Sequence, residues 1–416
     1  MENIIYNYLL NNRYSIMMSK SLIHYIIPFW REKDGNIVIG SFISDKLRYL
    51  NKSNKDYRIH LIQISFTKPY SIIHYLKNRS SPHPSKTCRF GDEFSFINLK
   101  YGLLDYIFPS LYVNKVYHHL NDVIVNSNQV NIFHLHITGL YHCALIRALE
   151  MVNLPFVVTT NGPEIESIIK YNDYFGWYRQ LFERIPKIIF VSRGQLLSAK
   201  NAGLSGSNAV IINNGVDLSL FYPMDKQLAE RMTSWKRTRT YVIGYVGMLY
   251  DVKRSDLLPD IFKNISTLLD DDCEFVIVGD GNLRETIFQK CEEYELKVTF
   301  VGTIPHNTVV YWMNLFNVLI LPSRQEGFGN VIIEAKACGV PTVGTNVGGI
   351  PSAIGNSGIL VDEGDNFEMR FSDAVVSLLL RKKSINRDDV IHESQEYDLK
   401  LVVDKELNQY DLQIKP

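Results

Sequence analysis

Apolar residues along this chain fall into short unbroken runs, and between the runs they recur at three- and four-residue spacing. The runs predict buried strands and the spaced pattern predicts amphipathic helices. Residues 23–29 read as a strand, Asp34-Gly35-Asn36 as a tight turn, 37–50 as a helix and 58–65 as a second strand. Strand, Gly-bearing turn, helix and strand make a βαβ unit, which implies a parallel sheet. Strand patterns return at 130–136, 156–160, 187–192 and 209–213. Residues 67–89, rich in Lys, Arg, Ser and Pro, read as a long exposed loop, and 101–113 are aromatic and apolar but broken by Asp105 and Pro109. A boundary is expected near 217–223, with a polar stretch to about 240. The alternation then restarts, with strands at 241–246, 274–278, 298–301, 318–321 and 341–344 and a final helix over 396–413.

At 416 residues the chain has room for two domains, each with its own core. Its 46% hydrophobic and 21% charged content is that of a soluble globular protein. Net charge is zero but unevenly placed. Residues 1–220 hold 23 Lys and Arg against 15 Asp and Glu, a net of +8, and the remainder holds 21 against 29, a net of −8. A basic half suits a polyanion, an anionic membrane surface or simply a solvated face. With no basic run interleaved with aromatics, no nucleic acid partner is expected. Cys88, Cys143, Cys273, Cys291 and Cys338 are odd in number and scattered, which fits a reducing cytoplasmic setting. The first thirty residues are interrupted by Asn, Arg and Lys, so neither a signal peptide nor a spanning helix is expected, and Met17-Met18 could be the true start.

The densest chemistry lies in 322–349, PSRQEGFGNVIIEAKACGVPTVGTNVGG. A strand ends at Pro322, a Gly-rich loop follows, and a helix starts near Asn330 and stops before Gly339-Val340-Pro341. Free amides at a helix start attract phosphate, whereas a carboxylate there, Glu326, suits hydroxyls. A ligand with both is a nucleotide sugar.

The string Glu326-Gly327-Phe328-Gly329, Glu334-Ala335, Ala337, Gly339, Pro341 and Gly348-Gly349 resembles, in order and spacing, the signature of the retaining glycosyltransferases of family 4. The resemblance implies an α/β chain of GT-B fold: two Rossmann-like βαβ domains facing each other across a cleft, with the C-terminal helix crossing back to the first. It divides the chain into 1–218 with 396–416, binding acceptor, and 219–395, binding the nucleotide sugar. It further implies that Glu326 stabilises charge at the donor sugar and that Gly327, Phe328, Gly329 and Asn330 hold sugar hydroxyls or phosphate. Glu334 would bind the ribose. Lys253, in the loop that Gly247 opens, would neutralise the departing diphosphate, with Arg254 beside it. Met248 stands where the family has an Arg, so one charge is missing unless Arg254 substitutes. Gly279-Asp280-Gly281 reads as a tight turn, and 211–217 with Phe221 and Pro223 as the interdomain linker.

The resemblance also puts Gly35, His134, His136 and Asn161 on the acceptor or donor-sugar side; Asn161 replaces a family His, so it can hydrogen-bond but not exchange a proton. For each histidine alone, a ring satisfied inside the fold fits as well. No metal is expected, since nothing completes a tetrahedral set around the histidines and the chain is read as lacking an Asp-x-Asp signature. No cofactor beyond the sugar nucleotide is implied. Partners would be that donor, a saccharide or lipid-linked acceptor, and an anionic leaflet met by Lys77, Arg79, Lys86 and Arg89 with Tyr70, Tyr75 and Phe90. The setting would be cytoplasmic, or peripheral on the inner membrane face, in bacterial surface polysaccharide synthesis. The alternatives are a catalytically impaired binding protein and an epimerase of the same fold.

Overall fold

The computed structural model describes residues 21–27, 30–31, 37–38, 41–53, 57–66, 95–101, 113–114, 117–118, 131–137, 141–151, 153–162, 164–380 and 385–414. Gly35, the basic loop 67–89 and its neighbour Phe90 lie outside them. The chain divides into two compact units. One comprises residues 1–190, 196–212 and 403–416, and the other 191–195 and 213–402.

Unit 1 carries a seven-stranded sheet among the described residues, ordered β5-β4-β1-β6-β7-β8-β9. Its strands are β1 (Ser21–Ile27), β4 (Tyr57–Phe66), β5 (Ser95–Tyr101), β6 (Asn131–Ile137), β7 (Phe156–Thr160), β8 (Ile188–Phe190) and β9 (Ala209–Ile211). Every pairing is parallel. The described residues of β6, β7 and β8 are buried, as expected of strands covered on both faces. The helix Tyr141–Met151 packs Cys143, Leu145, Ile146 and Leu149 into the core below them. One expectation needs correcting. Ile37–Val38 (β3) pairs antiparallel with Trp30–Arg31 (β2), and the helix begins only at Ser41. Two β-branched residues there are strand formers, and Gly40-Ser41 gives the helix a better start.

Unit 2 holds a six-stranded parallel sheet, ordered β12-β11-β10-β13-β14-β15. These are β10 (Tyr241–Val246), β11 (Cys273–Val278), β12 (Val298–Gly302), β13 (Val318–Leu321), β14 (Thr342–Thr345) and β15 (Gly358–Val361). The helix Leu258–Leu268 buries Leu258, Ile261, Phe262 and Ile265, the i, i+3, i+4, i+7 stripe of a helix lying on a sheet. The order reverses between β10 and β13, which makes the carboxyl ends of these two strands the expected ligand end of an open α/β sheet.

The last helix, Leu399–Ile414, begins in unit 2 and ends in unit 1. Its start is tied to the linker: Val216 N–H donates to the Tyr397 carbonyl at 2.8 Å, and Leu399 N–H donates to the Val216 carbonyl at 3.0 Å. Further on, Glu406 and Tyr410 are both buried in unit 1. Glu406 Oε1 accepts from Lys46 Nζ at 2.5 Å, with both side chains almost fully buried. Tyr410 Oη lies 2.6 Å from His134 Nδ1. Breaking a buried ion pair from one side leaves the other charge stranded, at a cost of about 3–5 kcal/mol. Glu406→Ala should therefore unfold unit 1 at markedly lower urea than wild type, whereas the double change with Lys46→Met should recover most of the loss. Equal midpoints for wild type and Glu406→Ala would show that the pair does not hold the helix.

Candidate functional site

The unit 2 site is built from loops at the carboxyl ends of its strands. After β13 the chain runs through Ser323 and Glu326 to Gly329, whose φ of +93° is open to glycine. The helix Asn330–Ala337 follows, and no side chain caps its start. Its first amides therefore remain donors for a ligand.

Three backbones meet around this loop at distances only glycine permits. A Cβ on Gly348 would lie 2.2 Å from the Glu326 carbonyl oxygen, and one on Gly349 would lie 2.1 Å from that of Gly327. A Cβ on Gly194 would lie 2.0 Å from the Gly348 carbonyl oxygen. Hydrogen bonds fix the stack: Gly349 N–H donates to the Glu326 carbonyl at 3.0 Å, and Ser192 Oγ donates to the Gly327 carbonyl at 3.0 Å. Phe328 is buried against the Tyr397 ring, which anchors the middle of the loop.

Held this way, Glu326 is 11% exposed at its side chain and Lys253 is 20% exposed. The Lys253 ammonium donates to Glu326 Oε1, and Ser323 Oγ donates to the same oxygen at 3.0 Å. Lys253 ends a short 3₁₀ turn, Asp251–Lys253, and the adjoining loops are joined by Arg324 N–H donating to the Val252 carbonyl at 3.0 Å. Beneath them Tyr245 donates its hydroxyl to the Met248 carbonyl at 2.9 Å. Burial, reinforced by the Glu326 charge, pushes this phenol well above its ordinary pKa. Gly247 sits above Tyr245, and its carbonyl lies 2.0 Å from where a Gly279 Cβ would be. Gly279-Asp280-Gly281 is thus a place of close backbone approach.

Arg254 does not join the pair. Its left-handed backbone (φ +52°) turns the guanidinium away, where it donates to Glu363 Oε2 at 2.8 Å and stacks over Phe367. Met248 is 55% exposed and supplies no charge.

Glu334, one turn into the helix, lies 2.9 Å from His306 Nε2. Asn330 Oδ1 accepts from Asn214 Nδ2 at 2.8 Å. His306, Asn214, Ser192 and Ser323 were not singled out by the sequence. Asn214 and Ser323 carried a signal, since they belong to the linker string and to the string 322–349.

In unit 1, His134 has both ring nitrogens engaged, one by Tyr410 and the other 2.7 Å from Thr159 Oγ1. Burial, then the neighbouring His136 and Lys46, hold its pKa well below the ordinary histidine value, so it is neutral at pH 7. His136 stacks on it, and the Asn161 amide lies 3.1 Å from His136 Nδ1. The buried Asn161 Oδ1 has no hydrogen-bond partner among the described residues. Three positions on, Glu164 accepts from Gly162 N–H at 2.7 Å, and burial pushes its carboxyl up to about 7. The sequence did not single out this titratable group. His134 and His136 are thus stacked and Asn161 is hydrogen-bonded to the second ring, while Gly35 lies outside the described residues.

Asp270-Asp271-Asp272 is formally an Asp-x-Asp string, which corrects the expectation that the chain has none. It precedes β11, at the end of the strand remote from Glu326, and its carboxylates accept from Ser266 and Thr240. Among the described residues no group of three His, Cys, Asp or Glu side chains is spaced to hold a metal. No described helix is long and apolar enough to cross a membrane.

Residues 240–381 match the family model described as Glycosyl transferases group 1. An uncharacterized glycosyltransferase of Methanocaldococcus jannaschii is 26% identical over 257 residues, 59% of this chain and 65% of that one. A D-inositol 3-phosphate glycosyltransferase of Jonesia denitrificans is 31% identical over 168 residues, 37% of this chain and 39% of that one. The chain thus matches less than two thirds of the length of either relative. Among solved structures, sucrose-phosphate synthase from Thermosynechococcus elongatus superposes with a TM-score of 0.68 at 17% identity, covering 94% of this chain and 99% of that one. Anabaena HepE in complex with UDP and glucose gives 0.67 at 15%, again covering 94% and 99%. The fold is GT-B, with two Rossmann-like units.

The glycine stack makes a prediction of its own. Gly194→Ala, far in sequence from Glu326, should displace the Gly348 backbone and with it the Glu326–Gly329 loop. Unit 2 should lose about 1–3 kcal/mol, the cost of overpacking. Urea unfolding followed by the fluorescence of Trp235 and Trp312 would read this, and an unchanged midpoint would show that the loop is not held by the stack.

Proposed function

We propose that this protein is a retaining glycosyltransferase of family 4, moving a sugar from a nucleotide diphosphate sugar to a saccharide or lipid-linked saccharide. The observation that carries the reading is the Lys253–Glu326 pair at the uncapped start of the helix Asn330–Ala337, within the segment that matches the Glycosyl transferases group 1 model. Unit 2 takes the donor and unit 1 serves the acceptor. The UDP bound in Anabaena HepE supports a nucleotide diphosphate as the donor's leaving part.

In this reading Glu334, oriented by His306, accepts from the ribose hydroxyls. Glu326 bonds the donor sugar and stabilises the positive charge that grows as the anomeric bond breaks. The bond's electrons leave with the diphosphate, and Lys253 and the amides of Gly329 and Asn330 neutralise it. The acceptor hydroxyl forms the new bond on the face the diphosphate left, and its proton passes to a phosphate oxygen. Asn161, with a free carbonyl oxygen, binds a sugar hydroxyl and moves no proton. A hydrolase-type carboxylate pair is not needed. The basic segment around Lys77–Arg89 is the reason to include an anionic leaflet and a lipid-linked acceptor, as in surface polysaccharide synthesis. The exposed Met248, where the family has an Arg, favours one second reading, a binding protein that has lost turnover.

Transfer from labelled nucleotide sugars separates the two. Glu326→Ala should lower kcat by about 10²–10³, or about 3–4 kcal/mol, with the fold intact. Glu334→Ala should instead raise the donor KM more than it lowers kcat. Near-normal turnover in Glu326→Ala would remove that carboxylate from the reaction, and donor binding without any turnover in wild type would favour the binding protein.

The reaction should also be metal-independent, since Lys253 and helix amides neutralise the diphosphate. EDTA should leave the rate unchanged, and loss of activity restored by manganese or magnesium would refute this.

A further inference from the structure

At the opposite end of the unit 2 strands, where β10, β13 and β14 begin, lies a half-enclosed cavity of about 370 Å³. Its wall includes Lys226, Arg387, Tyr241 and Asn314. The Asn314 amide is committed to the fold: it accepts from Met224 N–H at 2.7 Å and donates to the Tyr222 and Val310 carbonyls. The cations are not. Lys226 makes no hydrogen bond or ion pair among the described residues. Arg387 makes one contact, a long 3.4 Å donation to the Cys338 carbonyl.

Arg387 and Arg237 both act on Lys226 by charge repulsion, in a half of the chain whose net charge is −8. Burial first, then Arg237 and Arg387, hold the Lys226 ammonium below its ordinary pKa, and Glu230 is the one opposing charge that acts on it. Like charges gathered at a cavity repel one another unless an anion joins them.

We propose that this cavity binds a small phosphate-bearing compound, at a site separate from the Lys253–Glu326 pair and at the other end of the same strands. Arg387 offers a fork of donors that matches phosphate oxygens, and Lys226 a point charge beside it. The volume suits a small metabolite. An anion there bridges the helix Lys226–Thr233, the strand starts and the helix Arg387–Ser394, so its binding stabilises unit 2 and the inference does not depend on glycosyl transfer.

Thermal unfolding in inorganic phosphate, against sodium chloride of equal ionic strength, tests this. At ten times its dissociation constant, phosphate should raise the wild-type Tm by about 3 °C. Lys253→Gln should keep the shift, since it alters the other end of the sheet. Lys226→Gln should lose at least half of it. Arg387→Gln should do the same, but it also frees the Cys338 carbonyl, so Lys226→Gln is the deciding variant. An equal rise in chloride, or a full shift in Lys226→Gln, would overturn the site. Pelleting with phosphatidic acid vesicles that depends on Lys226 would overturn the small compound in favour of a lipid headgroup.

Discussion

Unit 2 is governed by the close approach of three backbones. Residues 192–195, 326–329 and 347–349 touch where any side chain would collide with a carbonyl oxygen. Backbone contact is stiffer than side-chain contact, because it has no rotamers through which to yield. Glu326 therefore stands on a loop that its neighbours hold from two sides, and Lys253 meets it from a third. A carboxylate kept this rigidly in a mostly buried place can act on charge as it develops, without first reorganising.

The two units handle polar groups differently. In unit 1 the polar contacts run inward: Lys46 to Glu406, and Tyr410 through His134 to Thr159. These groups pair with one another, although Glu406 Oε2 has no partner among the described residues, and they fix where the last helix lies. In unit 2 the corresponding groups stand at the ends of strands, where helix amides and the Lys253 ammonium remain accessible to a ligand.

Much of this was legible in the sequence, for physical reasons. Parallel strands buried on both faces are continuous apolar runs, so β7, β10 and β13 were found with their observed bounds. Glycines and prolines marked the bounds of the helix Asn330–Ala337. The edge strand Gly358–Val361 is not legible in the same way: it opens on a glycine and only its first and last residues are buried, unlike the four buried residues of β13. Ile37–Val38 reads as part of a helix because a two-residue strand has no period of its own. The pairing of Glu334 with His306 was illegible in principle: 28 residues separate them, and only the sheet order brings them together. The same holds for His134, whose partner Tyr410 is 276 residues away.

That last separation has a consequence for how the protein is made. Synthesis delivers residues 1–212 long before 403–416, and domains generally fold in the order they emerge. Here the first unit cannot be completed in that order. Until the final helix leaves the ribosome, Lys46 has no carboxylate to meet and His134 has one ring nitrogen without its tyrosine. The second unit, contiguous but for the short segment 191–195, can close first. The unit whose strands are made first is therefore the one whose packing is completed last.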